Sequence, residues 1–171
     1  RADLTGVHID RVNFSNANLT DAKFSLNPIF LDEVVKDIYL HINHLNNEHE
    51  GLLVSINSID LKHEEQRNFL MRQVVEKLDS LKNSALAESW GSLADVLLKE
   101  PSYAKDPAIA RFIQTRLLPE WMESKNQGLL RPDEINLALV LDQLNASASA
   151  VNWSASRYQG AVNQLLYAAT L

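Results

Sequence analysis

The 171-residue sequence contains no cysteine. That excludes disulfides, thiolate metal centres and a cysteine nucleophile within these residues, and it fits a reducing compartment. Glycine is scarce at five residues, none of them adjacent, so no Gly-rich phosphate loop is present. No serine stands in a GxSxG context. Basic residues are outnumbered, 16 Lys and Arg against 22 Asp and Glu, and the net charge is −6. Nucleic acid requires clustered Lys and Arg to neutralise phosphates, and no such cluster occurs. The apolar runs fall well short of the roughly 20 residues that cross a bilayer, so no membrane span is expected. What remains is an ordinary globular composition, 46% apolar and 22% charged, long enough for one sizeable domain and a small appendage.

The first 26 residues have a period of five: ADLTG, VHIDR, VNFSN, ANLTD, AKFSL. A helix repeats every 3.6 residues and a strand every 2, so neither explains it. The central column holds Leu4, Ile9, Phe14, Leu19 and Phe24, and the column two residues earlier holds Ala2, Val7, Val12, Ala17 and Ala22. Asp3, His8, Asn13, Asn18 and Lys23 lie between them. Residues two apart on an extended backbone share a face. Each five thus offers one small and one large inward side chain and then turns a corner. The pattern resembles the pentapeptide-repeat family, A(D/N)LXX. That resemblance implies a right-handed square β-helix, four fives to a coil, with coils stacked about 4.8 Å apart. The expected β-helix core is Leu4, Ile9, Phe14, Leu19 and Phe24. Five registers make little more than one coil, and one coil cannot bury its own stacking face, so further coils are expected before Arg1. Asp3, Asp10 and Asp21 are balanced by Arg1, Arg11 and Lys23, which argues against an acidic DNA mimic. The chain opens inside a repeat and closes at Leu171 inside a helical pattern, so it reads as a fragment of a longer protein.

After Leu26 the period becomes helical. Asn27 is placed as an N-cap with Pro28 at the first helical position. Leu31, Val34, Val35, Ile38, Ile42 and Leu45 follow helical spacing. "LLVSINSI" fits either a short helix or a buried strand. A further helix is expected from Asp60 with a core stripe of Leu70, Met71, Val74, Leu78 and Leu81, and another over about Ser89 to Lys99. Asp106 and Pro107 open the next, through Ile109, Phe112, Ile113 and Leu117, until Pro119 kinks or ends it. Gly128 and Pro132 read as a stop and a restart, "NASASAVNWSAS" as a small polar connector, and Tyr158, Val162, Leu165, Leu166 and Ala169 as a final stripe. The fold class is mainly α: residues 1–26 close a pentapeptide β-helix, and residues 27–171 form a compact multi-helix domain truncated at its C-terminus. The first helix is expected to cap the open coil.

Three constellations invite a chemical reading. His41, His44 and His49 with Glu48 and Glu50 offer nitrogens and carboxylates for zinc, but the HExxH spacing is missing and Asn46-Asn47 favours a turn, so a solvated helix end is the reading and no metal is expected. His63, Glu64 and Glu65 are explained by compensation of a helix dipole rather than by acid–base catalysis. Trp90, Trp121 and Trp153 are candidate anchors for a partner, with burial in the core as the ordinary alternative. No catalytic residue and no cofactor site is identified.

A pentapeptide coil running straight into a helical domain, together with "ANLTDAKFSLNPIFLDEVVKDIYLHINHL" and "ESWGSLADVLLKEPSYAKDPAIARFIQTRLLPEWME", resembles the SopA/NleL family of type III secreted effectors. The resemblance implies the β-helix end and the start of the N-lobe-like central domain of a HECT-like E3 ubiquitin ligase. It also implies a host E2 ubiquitin-conjugating enzyme and other host proteins as partners, and action in the host cytoplasm after secretion. The family's catalytic cysteine lies in a C-terminal lobe, so no catalytic residue carries over to this chain. The competing readings are a non-enzymatic pentapeptide-repeat adaptor with a helical interaction module, and a repeat protein with an unrelated helical cap.

Overall fold

In the computed structural model, the structure describes residues 2–40, 47–80, 91–119 and 136–170. The chain divides into two compact units, Arg1–Asn83 and Ser84–Leu171. The expected boundary at residues 26 and 27 falls inside the first.

The first unit opens with β1 (Asp3–Val7) and β2 (Lys23–Leu26), which pair in parallel with Asp3 opposite Lys23 and Leu4 opposite Phe24. One circuit of the chain therefore takes four fives, and β2 begins the next circuit. Four corners explain the period. Gly6, Arg11, Asn16 and Asp21 all have positive φ, 70°, 51°, 63° and 57°. They stand five apart, and a left-handed residue is what reverses the direction of an extended chain. Asn and Asp accept that conformation because their short side chains bond locally, whereas Arg11 adopts it against its steric preference. At two corners the turn is closed by a backbone bond, from Ala17 N–H to Phe14 O at 2.9 Å and from Ala22 N–H to Leu19 O at 3.0 Å. The Asp/Asn column has its own task. Asp3, Asn13 and Asn18 each accept the N–H two residues on, from Thr5, Ser15 and Thr20, at 3.0, 2.9 and 3.1 Å. His8 stands in that column too, and its ring stacks on Phe30 instead, with centroids 3.8 Å apart.

Helix α1 (Pro28–Leu40) follows at once. Asn27 Oδ1 accepts from Ile29 N–H and Phe30 N–H, and Pro28 sits where a helix needs no donor. The ambiguous "LLVSINSI" is helical through Asn57, where α2 (Asn47–Asn57) ends, and Ser58 and Ile59 turn away. A 3₁₀ turn over Leu61–His63 leads into α3, Glu64–Ser80, with Glu64 and Glu65 in its first turn. The stripe Leu70, Met71, Val74 and Leu78 is fully buried with Leu52, Ile56 and Val34, while Leu81 lies outside the described residues.

The second unit holds α4 (Gly91–Lys99), α5 (Pro107–Phe112), α6 (Leu137–Ala150) and α7 (Ala155–Thr170). Asp106 caps α5 by accepting from Ala108 N–H and Ile109 N–H. Helix α5 then widens into a π turn over Ile113–Leu117, in which Leu118 N–H reaches back five residues to Ile113 O. Pro119 accounts for it. A proline has no N–H for the carbonyl four residues back and its ring crowds that group, so the preceding turn shifts register. Gln114 Nε2 donates to Gln143 Oε1 on α6 at 3.1 Å. The expected polar connector is corrected here: α6 runs on through Asn145–Ala150, and the link is only residues 151–154. Alanine is the strongest helix former, and Ser147 is buried at 0% exposure, so this part of the segment packs as helix rather than as loop. The restart read at Gly128 and Pro132 lies outside the described residues. Helix α6 starts at Leu137, capped by Asn136 Oδ1 on Leu139 N–H.

Candidate functional site

The feature that stands out is a row of polar side chains laid along one edge of the coil. The last turn of a coil has one set of backbone groups with no further strand to meet, and buried backbone donors require partners. Here the partners come from the segment between Gly51 and Gln73. Arg11 N–H donates to Gly51 O at 3.1 Å. Val12 N–H donates to Ser55 Oγ at 2.7 Å and Phe14 N–H to Ser58 Oγ at 2.8 Å. Asn16 N–H donates to Asp60 Oδ2 at 2.7 Å, Leu19 N–H to His63 Nε2 at 3.1 Å, and Leu26 N–H to Gln73 Oε1 at 3.0 Å. Gln66 Nε2 returns a bond to Leu19 O at 3.3 Å.

The order matters. From Val12 to Leu19 on the coil, the partners advance from Ser55 to His63, with nearly constant separations of 43 and 44 residues. The end of α2 and the 3₁₀ turn thus run alongside the coil in the same direction that another strand would. Their side-chain acceptors stand in for the carbonyls of that strand. Ser55 is held for this task, since its hydroxyl donates to Gly51 O at 2.9 Å and leaves its lone pairs for Val12. Ser58 Oγ lies 2.7 Å from Ser55 O and 3.1 Å from Val12 O, either of which takes its proton. The strand edge is closed by side chains, and growth of the stack in that direction stops.

The row of acceptors therefore does not come from the first helix, the expected cap, but from the segment after it. Helix α1 leaves directly from the end of β2 and contributes Phe30 against His8. Only a segment that travels beside the corners can offer its acceptors one after another. His63, read from sequence as part of a dipole-compensating cluster, belongs to the row, while Glu64 and Glu65 occupy the first turn of α3. In the sequence Ser55, Ser58, Gln66 and Gln73 carry no assigned role, and Asp60 is read only as a helix start. A signal existed: Ser55 shares the helical stripe of Leu52, Ile56 and Ile59, and a buried hydroxyl on an apolar stripe needs a partner.

Of the expected core column, Ile9, Leu19 and Phe24 are buried, and Leu4 and Phe14 are half-buried. Leu4 lies in register over Phe24, and the Phe14 ring meets Phe24 edge-on with centroids 5.5 Å apart. In the smaller column Ala2 and Val12 are exposed and Val7, Ala17 and Ala22 half-buried. His41 and His44 lie outside the described residues, as do Trp90 and Trp121; the side chain of His49 is not described either. Among the described residues no group of three or more His, Asp or Glu side chains is placed to hold a metal ion. Trp153 sits at the corner between α6 and α7, half-buried, with the Arg157 guanidinium 4.5 Å from its ring centroid. No described helix is long and apolar enough to cross a membrane.

Asp3 is solvent-exposed, and its carboxyl is held below the usual carboxylate range, first by the Thr5 side chain and then by the Thr5 amide.

Comparison with known proteins agrees with the coil geometry. Residues 1–25 match the family model described as pentapeptide repeats, eight copies. No curated protein matches the chain, and no solved structure does.

Proposed function

We propose that this chain is the closing segment of a right-handed pentapeptide β-helix fused to a helical domain, and that it works as a non-catalytic platform in a SopA/NleL-like E3 ubiquitin ligase. The observation that carries the platform reading is the row from Ser55 to Gln73. It fastens the helices of the first unit to the last coil through successive backbone bonds, so the coil is joined to its helices along an edge rather than by a single tether. The ligase reading rests on the resemblance of the two quoted stretches to that family. In it the chain supplies no thiol. It holds a ubiquitin-loaded E2, or another host protein, near a catalytic lobe carried elsewhere in the parent, in the host cytoplasm. Holding donor and acceptor together removes an entropic barrier of up to roughly 7–11 kcal/mol in well-oriented systems.

Incubation of this chain with E1, an E2, ATP and ubiquitin is expected to give no reducible ubiquitin adduct. Deleting residues 27–171 from the full parent is expected to abolish transfer from E2 while leaving the lobe's cysteine reactive to a thiol reagent. Undiminished transfer by that deletion would overturn the platform reading. The second reading, a non-enzymatic adaptor, is favoured by the complete lack of cysteine in 171 residues. A parent with no cysteine-bearing lobe would select it.

A further inference from the structure

A backbone amide can only donate, so the ring nitrogen that meets Leu19 N–H at 3.1 Å must present a lone pair. Nε2 is the bare nitrogen of His63, and the proton of the neutral ring is on Nδ1. The side chain is buried at 7% exposure. Its companions on the row behave differently toward acid. The hydroxyls of Ser55 and Ser58 and the amide oxygen of Gln73 remain acceptors, and Asp60 accepts as a carboxylate. Imidazole is the side chain that gains a proton between pH 5 and 8, and a proton on Nε2 sets donor against donor. We propose that the His63–Leu19 contact is an acid-sensitive latch, closed by the neutral ring and opened by its protonation, which releases the Leu19 amide from the cap while Gln66 still holds the Leu19 carbonyl.

The charged neighbours do not remove that conflict. Asp60, Lys62 and Glu64 flank His63 on its own segment, and Arg67 follows one turn along α3. Asp60 Oδ2 is already engaged by Asn16 N–H and lies 3.9 Å from Lys62 Nζ. Asp21 and Lys23 follow Leu19 on the coil. On α1, Asp32 is paired with Lys77, near the far end of α3. The described part of α2 from Gly51 onward carries no charged side chain. None of these groups supplies a new acceptor for the Leu19 amide.

The test is amide exchange by NMR on the whole chain at pH 7.5 and 5.5. Asn16 N–H, bonded to Asp60, serves as the internal reference. Protection of Leu19 N–H is expected to fall relative to Asn16 by up to about ten-fold per pH unit, the limit for one proton. His63→Gln, which places a neutral acceptor there as Gln73 does for Leu26, is expected to abolish that fall. Imidazole nitrogen shifts should place the neutral ring's proton on Nδ1 at pH 7.5. Parallel changes at Leu19 and Asn16, an unchanged pH profile in H63Q, or a proton on Nε2 at pH 7.5 would overturn the latch. If H63Q does not fold, the amide ratio and the nitrogen shifts of the unaltered chain decide the matter alone.

Discussion

Gly51 and Asp10 stand so close that a β-carbon on Gly51 would lie 1.6 Å from Asp10 Oδ1 and 2.8 Å from its Cγ. The approach is held by the bond from Arg11 N–H to Gly51 O, and Arg11 Cγ would meet the same β-carbon at 3.0 Å. Glycine inside a helix ordinarily costs about 1 kcal/mol relative to alanine, so Gly51→Ala tests which effect wins. The expected result is a lower Tm, because the Asp10 carboxylate and the Arg11 stem must both move. Asp10→Ala in the same background should recover much of the loss. A Tm raised by Gly51→Ala alone would show that the close approach carries no weight.

Ser55→Ala and Ser58→Ala each leave a coil amide without its acceptor. An unsatisfied buried donor costs about 1–3 kcal/mol, and Ser55 is the more buried of the two. Urea unfolding is expected to show losses in that range for Ser55→Ala and at the lower end for Ser58→Ala. Both hydroxyls belong to one network, so the double variant should lose less than the two together. Losses that add fully would mean the two bonds act independently.

Leu19 and Leu4 occupy the same column at different depths, one buried at 5% exposure and the other half-buried. Leu19→Ala is expected to cost about 2–5 kcal/mol, as for a buried leucine, and Leu4→Ala clearly less. Phe14→Asp should also destabilise, since it removes the ring that meets Phe24. Equal losses for the two leucines, measured by denaturant midpoint, would contradict the inward column with one open side.

Asp3 gives a pH prediction. Its carboxyl is held below the usual carboxylate range by Thr5. A group whose folded value is depressed stabilises the fold above its unfolded value, and that contribution disappears as pH falls through the lower, folded value. The contribution is therefore complete at neutral pH and lost only below about pH 4. NMR titration of the Asp3 carboxyl should give a midpoint below that of an unstructured aspartate, and Thr5→Ala should raise it. A midpoint unchanged by Thr5→Ala would rule out the Thr5 side chain as the first cause and leave its amide.

Much of the fold is legible in the sequence because it is written in local periods. The five-residue columns mark the coil, since every fifth residue must turn a corner and every central one faces inward. Asn27-Pro28 and Asp106-Pro107 mark helix starts because the cap and the fixed φ of proline act within one turn. Leu70, Met71, Val74 and Leu78 mark a core stripe by spacing alone. Even the π turn has a local cause in Pro119, although only the structure shows how the helix absorbs it.

The cap was decided by tertiary structure. Ser55, Ser58, Asp60, His63 and Gln73 look like ordinary polar residues on and after a short helix, and the amides they accept from lie 43 to 47 residues earlier. No local pattern encodes a bond across that separation. It exists because the coil leaves a row of donors at its edge and the chain must return beside that edge to satisfy them. By itself the sequence determined that a coil would form and that helices would follow. Which helices would close it, and through which atoms, depended on the unsatisfied backbone that appears only once the coil is built.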